Sequence, residues 1–145
     1  MKKLFTKICI ASDHAGYDLK EEIKDYLIKK SISVIDLGPF SKDSVDYPDY
    51  AKKVAKRLIL RKSDAGILVC GSGSGMAITA NKFKGIRAAQ CYNKVSTILS
   101  RQHNNSNIIC LGSRLLKYKE AFKYVTYFLN TKFESGRHQK RINKI

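Results

Sequence analysis

Apolar and amphipathic segments alternate five times along this chain, and that alternation constrains the fold more than any other feature. "KICIAS" (Lys7–Ser12), "ISVIDLG" (Ile32–Gly38), "AGILVC" (Ala65–Cys70), "GIRAAQCY" (Gly85–Tyr92) and "NIICLG" (Asn107–Gly112) read as strands. "YDLKEEIKDYLIKK" (Tyr17–Lys30), "YPDYAKKVAKRLILR" (Tyr47–Arg61), a short segment after the third strand ending near Lys82, "NKVSTILSRQH" (Asn93–His103) and "KEAFKYVTYFLN" (Lys119–Asn130) read as helices. In the first helix Leu19, Ile23, Tyr26 and Leu27 fall on one face; in the second, Pro48 sits in the first turn, where it is tolerated. The strands are nearly continuous apolar runs, as expected when both faces of a sheet are covered. Alternation of this kind with short links predicts a parallel sheet with helices on both sides. Right-handed crossovers make a doubly wound sheet the simplest arrangement. The 145 residues suit one domain, 1–145, with a basic tail, "ESGRHQKRINKI", over 134–145.

The chain carries 28 Lys+Arg against 12 Asp+Glu, a formal charge of +16. That balance favours anionic partners, although lysines scattered over helix surfaces would give the same total. Cys9, Cys70, Cys91 and Cys110 form no C-x-x-C pair and sit in or at the ends of apolar runs, which predicts reduced thiols in a cytoplasmic protein. The N-terminal apolar run is broken by Lys7 and ends at Asp13, too short for a signal peptide, and no run has the length of a membrane span.

Open α/β sheets bind ligands outside the carboxyl ends of their strands. Here those ends supply Asp13 and His14 after the first strand, Asp46 and Tyr47 in the loop after the second, Cys70 and a glycine run after the third, and Arg114 after the fifth. The run "CGSGSGM" lacks the Lys-Ser/Thr of a P-loop. Its glycines, Gly71, Gly73 and Gly75, do not follow G-x-G-x-x-G, and no acid ends the next strand to hold a ribose. What remains is bare backbone that a ligand can approach closely, followed by a helix start with unpaired N–H groups. Such a nest suits either a phosphate or an oxyanion formed during reaction, unless the glycines serve only a tight turn. Cys70 is either one more small buried hydrophobe or, at the mouth of the nest, a thiolate able to act as nucleophile or base. Cys9, Cys91 and Cys110 read as core. Asp13 and His14 would equally cap the first helix, and His103 would equally end its own. Arg137 and Arg141, four apart, share a helical face suited to a phosphate dianion, with His138 pointing elsewhere; a solvated tail is the plain alternative. "RQHNN" precedes the fifth strand and so belongs at the opposite rim. If His103 and Asn104 are functional, they serve a neighbouring subunit's site.

Together "SDHAG", "DYPDYA", "CGSGSGMAITANK", "GIRAA", "LSRQHNN", "LGSR" and "GRHQKR" resemble the ribose-5-phosphate isomerase B family, within the sugar-phosphate isomerases that include the galactose-6-phosphate isomerase subunits. The resemblance runs in order along almost the whole chain. It implies an α/β three-layer α-β-α Rossmann-like sandwich with a five-stranded parallel sheet, a homodimer or homotetramer with shared active sites, and no metal or organic cofactor. The implied activity is interconversion of ribose 5-phosphate and ribulose 5-phosphate through a cis-enediolate, a step of the pentose phosphate pathway. The alternative substrates are allose or galactose 6-phosphate. The resemblance assigns Cys70 as the base, the Gly71–Gly75 turn (Gly71, Gly73, Ser74, Gly75) as the anion hole, and Ser72 as a hydroxyl near the sugar. Asp13 and His103 resemble the groups that assist ring opening. His14, Arg137, Arg141 and Arg114 resemble the phosphate contacts, and Tyr47 and Asn104 resemble substrate-contacting positions. Family members that lack the cysteine use a glutamate in this loop, where this chain has Met76.

Two other classes compete on the residues alone. A nucleic-acid-binding module would explain the charge, but the chain has no interleaved aromatic platform. A sugar-phosphate-binding protein with a dead site would not need Cys70 beside the nest. The expected partner is therefore a phosphorylated sugar, not a nucleic acid or a membrane.

Overall fold

The computed structural model describes residues 3–145. Its five strands are β1 (Ile8–Ser12), β2 (Val34–Asp36), β3 (Ala65–Cys70), β4 (Ala88–Gln90) and β5 (Ile108–Gly112). The helices are α1 (Tyr17–Lys29), α2 (Tyr47–Ile59), α3 (Ser74–Ala80), α4 (Lys94–Gln102), α5 (Tyr118–Asn130) and α6 (Arg137–Ile142). All strand pairs are parallel, in the order β2-β1-β3-β5-β4. This is the expected α/β sandwich.

Alternation along the central strands splits the core into two layers. Ile8, Ile10, Ile67, Val69, Ile109 and Leu111 face one side, where Leu19, Ile23 and Leu27 of α1 meet Val125, Phe128 and Leu129 of α5. Cys9, Ala11, Leu68 and Cys110 face the other, against Ala51, Val54 and Ala55 of α2 and Met76 and Ala80 of α3. The chain reverses its direction of progress across the sheet between β1 and β3. The crevice outside a parallel sheet opens at such a switch point, and here it lies between Asp13 and Cys70.

The edge strands are shorter than the apolar runs predict. β2 covers Val34–Asp36 of the expected Ile32–Gly38, and β4 covers Ala88–Gln90 of Gly85–Tyr92. Each has a neighbour on one side only, so its flanking residues find other partners. At β4 the Asn81 side chain closes the free edge: its amide donates to Ala88 O and its carbonyl oxygen accepts the Ala88 N–H, both at 2.8 Å. Cys91 consequently lies just beyond β4, not within it, although its N–H still donates to Cys110 O at 3.0 Å.

A buried cation anchors the end of β2, from which the loop to Tyr47 departs. Lys20 has no solvent exposure, and its Nζ donates to both Asp36 carboxylate oxygens at 2.8–2.9 Å and to Pro39 O at 2.7 Å. Burial raises the Asp36 pKa, but the hydrogen bonds from Lys20 and Lys24 outweigh it and leave the carboxyl below its ordinary value. The pair therefore contributes stability above the unfolded-state value of about 4 and loses it as pH falls through the lower folded value. Lys20→Met removes one partner and leaves Asp36 with Lys24. It is expected to destabilise the fold by about 3 kcal/mol near pH 7, measurable as a lower urea midpoint, with a smaller difference from wild type in acid.

Candidate active site

The carboxyl ends of β1 and β3 open into a cavity of about 400 Å³. Asp13, Tyr47, Cys70, Gly71, Ser72, Gly75 and Arg114 line it, together with Leu115. Residues from three strand ends and the start of α2 thus meet as the topology predicts. A second hollow shares Asp13 and Tyr47 and continues past His14 towards Val45 and Asp46.

Cys70 is the last residue of β3 and is 4% exposed. The chain turns sharply after it, and the Gly73 N–H comes back to donate to Cys70 Sγ at 3.1 Å. Gly73 has φ +80°, which glycine adopts without the steric cost of a side chain. Among the described residues, the N–H groups of Gly71 and Ser72 take no partner from within the chain. The Cys70 sulfur and free backbone donors therefore line the same cavity. The other thiols are not placed for reaction. Burial pushes Cys9 up to about 11, raises Cys91, and holds Cys110 well above its ordinary value, all consistent with inert core cysteines.

The walls are built from short contacts. A Cβ on Gly75 would fall 2.6 Å from the Tyr47 ring, so only glycine lets that ring lie against the loop. Arg114 donates its backbone N–H to Gly71 O at 3.0 Å, and its guanidinium covers Gly71. Asp13 is 7% exposed; its Oδ1 accepts the Gly16 N–H at 2.9 Å, which fixes the carboxylate at the cavity floor. Asp13 thus holds the residue before α1 and does not cap the first-turn donors of the helix, and the bond to Gly16 engages one carboxylate oxygen. His14 Nδ1 lies 3.2 Å from both the N–H and the carbonyl oxygen of Val45, leaving Nε2 as the free edge of that exposed ring.

Seven expected site residues do not line this cavity: His14, Gly73 and Ser74 adjoin it, and His103, Asn104, Arg137 and Arg141 lie on other parts of the chain. His103 ends α4, and its ring stacks on His138 with centroids 4.2 Å apart. Asn104 lines a different cavity, with Ala88 and Ser106 at the amino ends of β4 and β5. Arg137 and Arg141 are exposed on α6, whose buried face carries His138. The basic tail is therefore helical over Arg137–Ile142 and docked through that histidine. This placement of His103 and Asn104 at the opposite rim follows from their position before β5.

His103, Glu134 and His138 bring possible ligand atoms within 4.8 Å of one another. The two imidazoles are only 12° from parallel, so their in-plane lone pairs run side by side and do not converge on one ion. Burial, with the neighbouring His103 and Arg137, lowers the His138 pKa. The same shift favours the neutral form of this buried ring.

Ser74, expected among the substrate contacts, is not in the cavity lining. Its hydroxyl accepts a hydrogen bond from Gln90 Nε2 at 2.9 Å. Gln90 was not legible as a site residue. The available signal was a polar residue at the carboxyl end of an otherwise apolar strand.

A family profile described as Ribose/Galactose Isomerase matches residues 8–145. The chain is 44% identical to ribose-5-phosphate isomerase B of Escherichia coli over 139 residues, covering 96% of this chain and 93% of that one. Its fold superposes on a ribose 5-phosphate isomerase from Thermotoga maritima with a TM-score of 0.94 at 52% identity, covering 96% of each chain. It superposes on ribose-5-phosphate isomerase B from Mycoplasma genitalium, solved with bound ribulose-5-phosphate, with a TM-score of 0.90 at 46% identity. That match covers 95% of this chain and 92% of the other.

Proposed function

This chain belongs to the ribose/galactose isomerase family, and we propose that it interconverts ribose 5-phosphate and ribulose 5-phosphate in sites that two copies of the chain complete together. The observation that carries the chemistry is Cys70 Sγ held at 3.1 Å by the Gly73 N–H, beside the unpaired N–H groups of Gly71 and Ser72.

The reaction moves one proton between neighbouring carbons. In the open-chain aldose, the Cys70 thiolate removes the proton on C2. The C–H electron pair becomes the C1–C2 double bond, and the carbonyl oxygen on C1 takes up the negative charge. The Gly71–Gly75 backbone donors meet that oxyanion as it forms, so they bind the transition state better than the substrate. The hydroxyl proton on O2 passes to O1, the thiol returns its proton to C1, and C2 becomes the ketone. Atoms and charge balance without an external oxidant or reductant. Asp13 and the neighbouring copy's His103 assist ring opening, and Ser72 and Tyr47 hold the sugar hydroxyls.

His14, Arg114 and the neighbouring copy's Arg137 and Arg141 anchor the phosphate. Their binding energy orients C1 and C2 over the sulfur. Arginine suits this task because its fork of donors pairs with phosphate oxygens. The partner's contribution is supported by the absence of His103, Asn104, Arg137 and Arg141 from the cavity of their own chain. Exposed apolar side chains, Ile78 on α3 and Val95 and Leu99 on α4, support self-association. The whole chain acts as one catalytic unit. Four unpaired, buried thiols support a reducing, cytoplasmic setting. Among the described residues no helix is long and apolar enough to cross a membrane.

Steady-state assays on ribose 5-phosphate, allose 6-phosphate and galactose 6-phosphate test the substrate. The highest kcat/KM is expected on the pentose; a higher value on either hexose would reassign the substrate while leaving the chemistry in place.

A further inference from the structure

Gln90 stands at the carboxyl end of β4, the edge strand, and belongs to none of the groups assigned above. Its Nε2 donates to Ser72 O at 2.8 Å and to Ser74 Oγ at 2.9 Å. The orientation of the amide is fixed by its partner. A backbone carbonyl can only accept, so the nitrogen and not the oxygen faces Ser72.

The consequence runs through one peptide unit. The carbonyl of Ser72 and the N–H of Gly73 belong to the same planar, trans group and point in opposite directions. Holding the Ser72 oxygen therefore sets the direction of the Gly73 N–H, which is the group that donates to Cys70 Sγ at 3.1 Å. From the other side the same peptide is crowded by Gly112, where a Cβ would lie 2.7 Å from the Ser72 carbonyl. The second bond, to Ser74, ties down the residue that opens α3, whose N–H in turn donates to Ser72 Oγ at 3.2 Å. Glycine leaves the backbone of this turn broad freedom, and Gln90 supplies the hydrogen bond that the Ser72 carbonyl accepts.

We propose that Gln90 is a positioning residue: by fixing the Ser72–Gly73 peptide plane it aims the N–H that holds the Cys70 sulfur, and it keeps the turn in the shape that receives the oxyanion. This inference rests on the reading of Cys70 as base and of the turn as anion hole. It gives Ser74 a share in holding the loop in place of a contact to substrate.

Gln90→Met keeps the length of the side chain and removes both donors. It is expected to lower kcat on ribose 5-phosphate by about fivefold to tenfold, the worth of one well-placed hydrogen bond. KM should stay within about twofold, because the phosphate anchors lie elsewhere. Gln90→Glu keeps the size and sets a carboxylate against the Ser72 carbonyl, so its loss in kcat should be larger. A thermal unfolding midpoint close to that of wild type in both variants separates positioning from loss of fold. If Gln90→Met does not fold, Gln90→Glu carries the test alone. An unchanged kcat, or a loss confined to KM, would overturn the role of Gln90. Cys70→Ala is measured in parallel. An inactive Cys70→Ala beside a fully active Gln90→Met would refute only the positioning role. A Cys70→Ala variant with wild-type turnover would refute the reading beneath it.

Discussion

Cys70→Ala is expected to lower kcat on ribose 5-phosphate by about a thousandfold, the scale of a general base, while the variant still binds the sugar phosphate. The argument is one of elimination at the site. Met76, in the first turn of α3, is fully buried in the core and carries no group that could take a proton. Asp13 lends one oxygen to Gly16 and lies at the floor of the cavity. The Cys70 sulfur alone stands next to the unpaired N–H groups where an enediolate would form. Removing it deletes the proton carrier but leaves His14, Arg114 and the Tyr47 wall in place, so isothermal titration should find affinity within a few-fold of wild type. Cys70→Ser, smaller and far less acidic, should be nearly as inactive, because the oxygen is a weaker base at pH 7 when it carries its proton.

The second large effect concerns the assembly. Cys70→Ala and His103→Ala, each strongly impaired alone, are expected to recover roughly a quarter of wild-type activity when unfolded and refolded together. Random association makes half of the pairs mixed. In a twofold dimer each mixed pair holds one site with both native residues and one with neither. The expectation follows from the position of His103 at the end of α4, stacked on His138 and outside the cavity of its own chain. If each chain supplied its own histidine, no mixed pair would contain an intact site and no activity would return. Gel filtration of the refolded mixture shows whether association has taken place.

Much of this was legible before any coordinates. β3 runs over Ala65–Cys70 as its apolar run predicts, because a central strand is flanked on both sides and pairs along its full length. The crossovers place Asp13, Tyr47, Cys70 and Arg114 on one rim, and the same logic sends His103 and Asn104 to the other. Less was legible at the edges. β2 and β4 are edge strands paired on one side only, so they extend over three residues each, and at β4 the Asn81 side chain bonds the free edge at Ala88. Periodicity also cannot say that β5 inserts between β3 and β4, since strand order is set by packing across the sheet. The directions of polar side chains were least accessible. Ser74 turns to Gln90, and His138 supports His103, through contacts between residues far apart in the chain.

The central claim is that Cys70 carries the proton between C2 and C1. The most direct measurement is exchange of that proton with solvent: ribose 5-phosphate is incubated with enzyme in D2O, and deuterium at the reacting carbons is read by NMR. Wild-type protein should introduce deuterium at C1 and C2 as the sugars equilibrate, and Cys70→Ala, although it binds the substrate, should introduce none above background. Exchange at the wild-type rate in Cys70→Ala would contradict the claim and place the base elsewhere in the site.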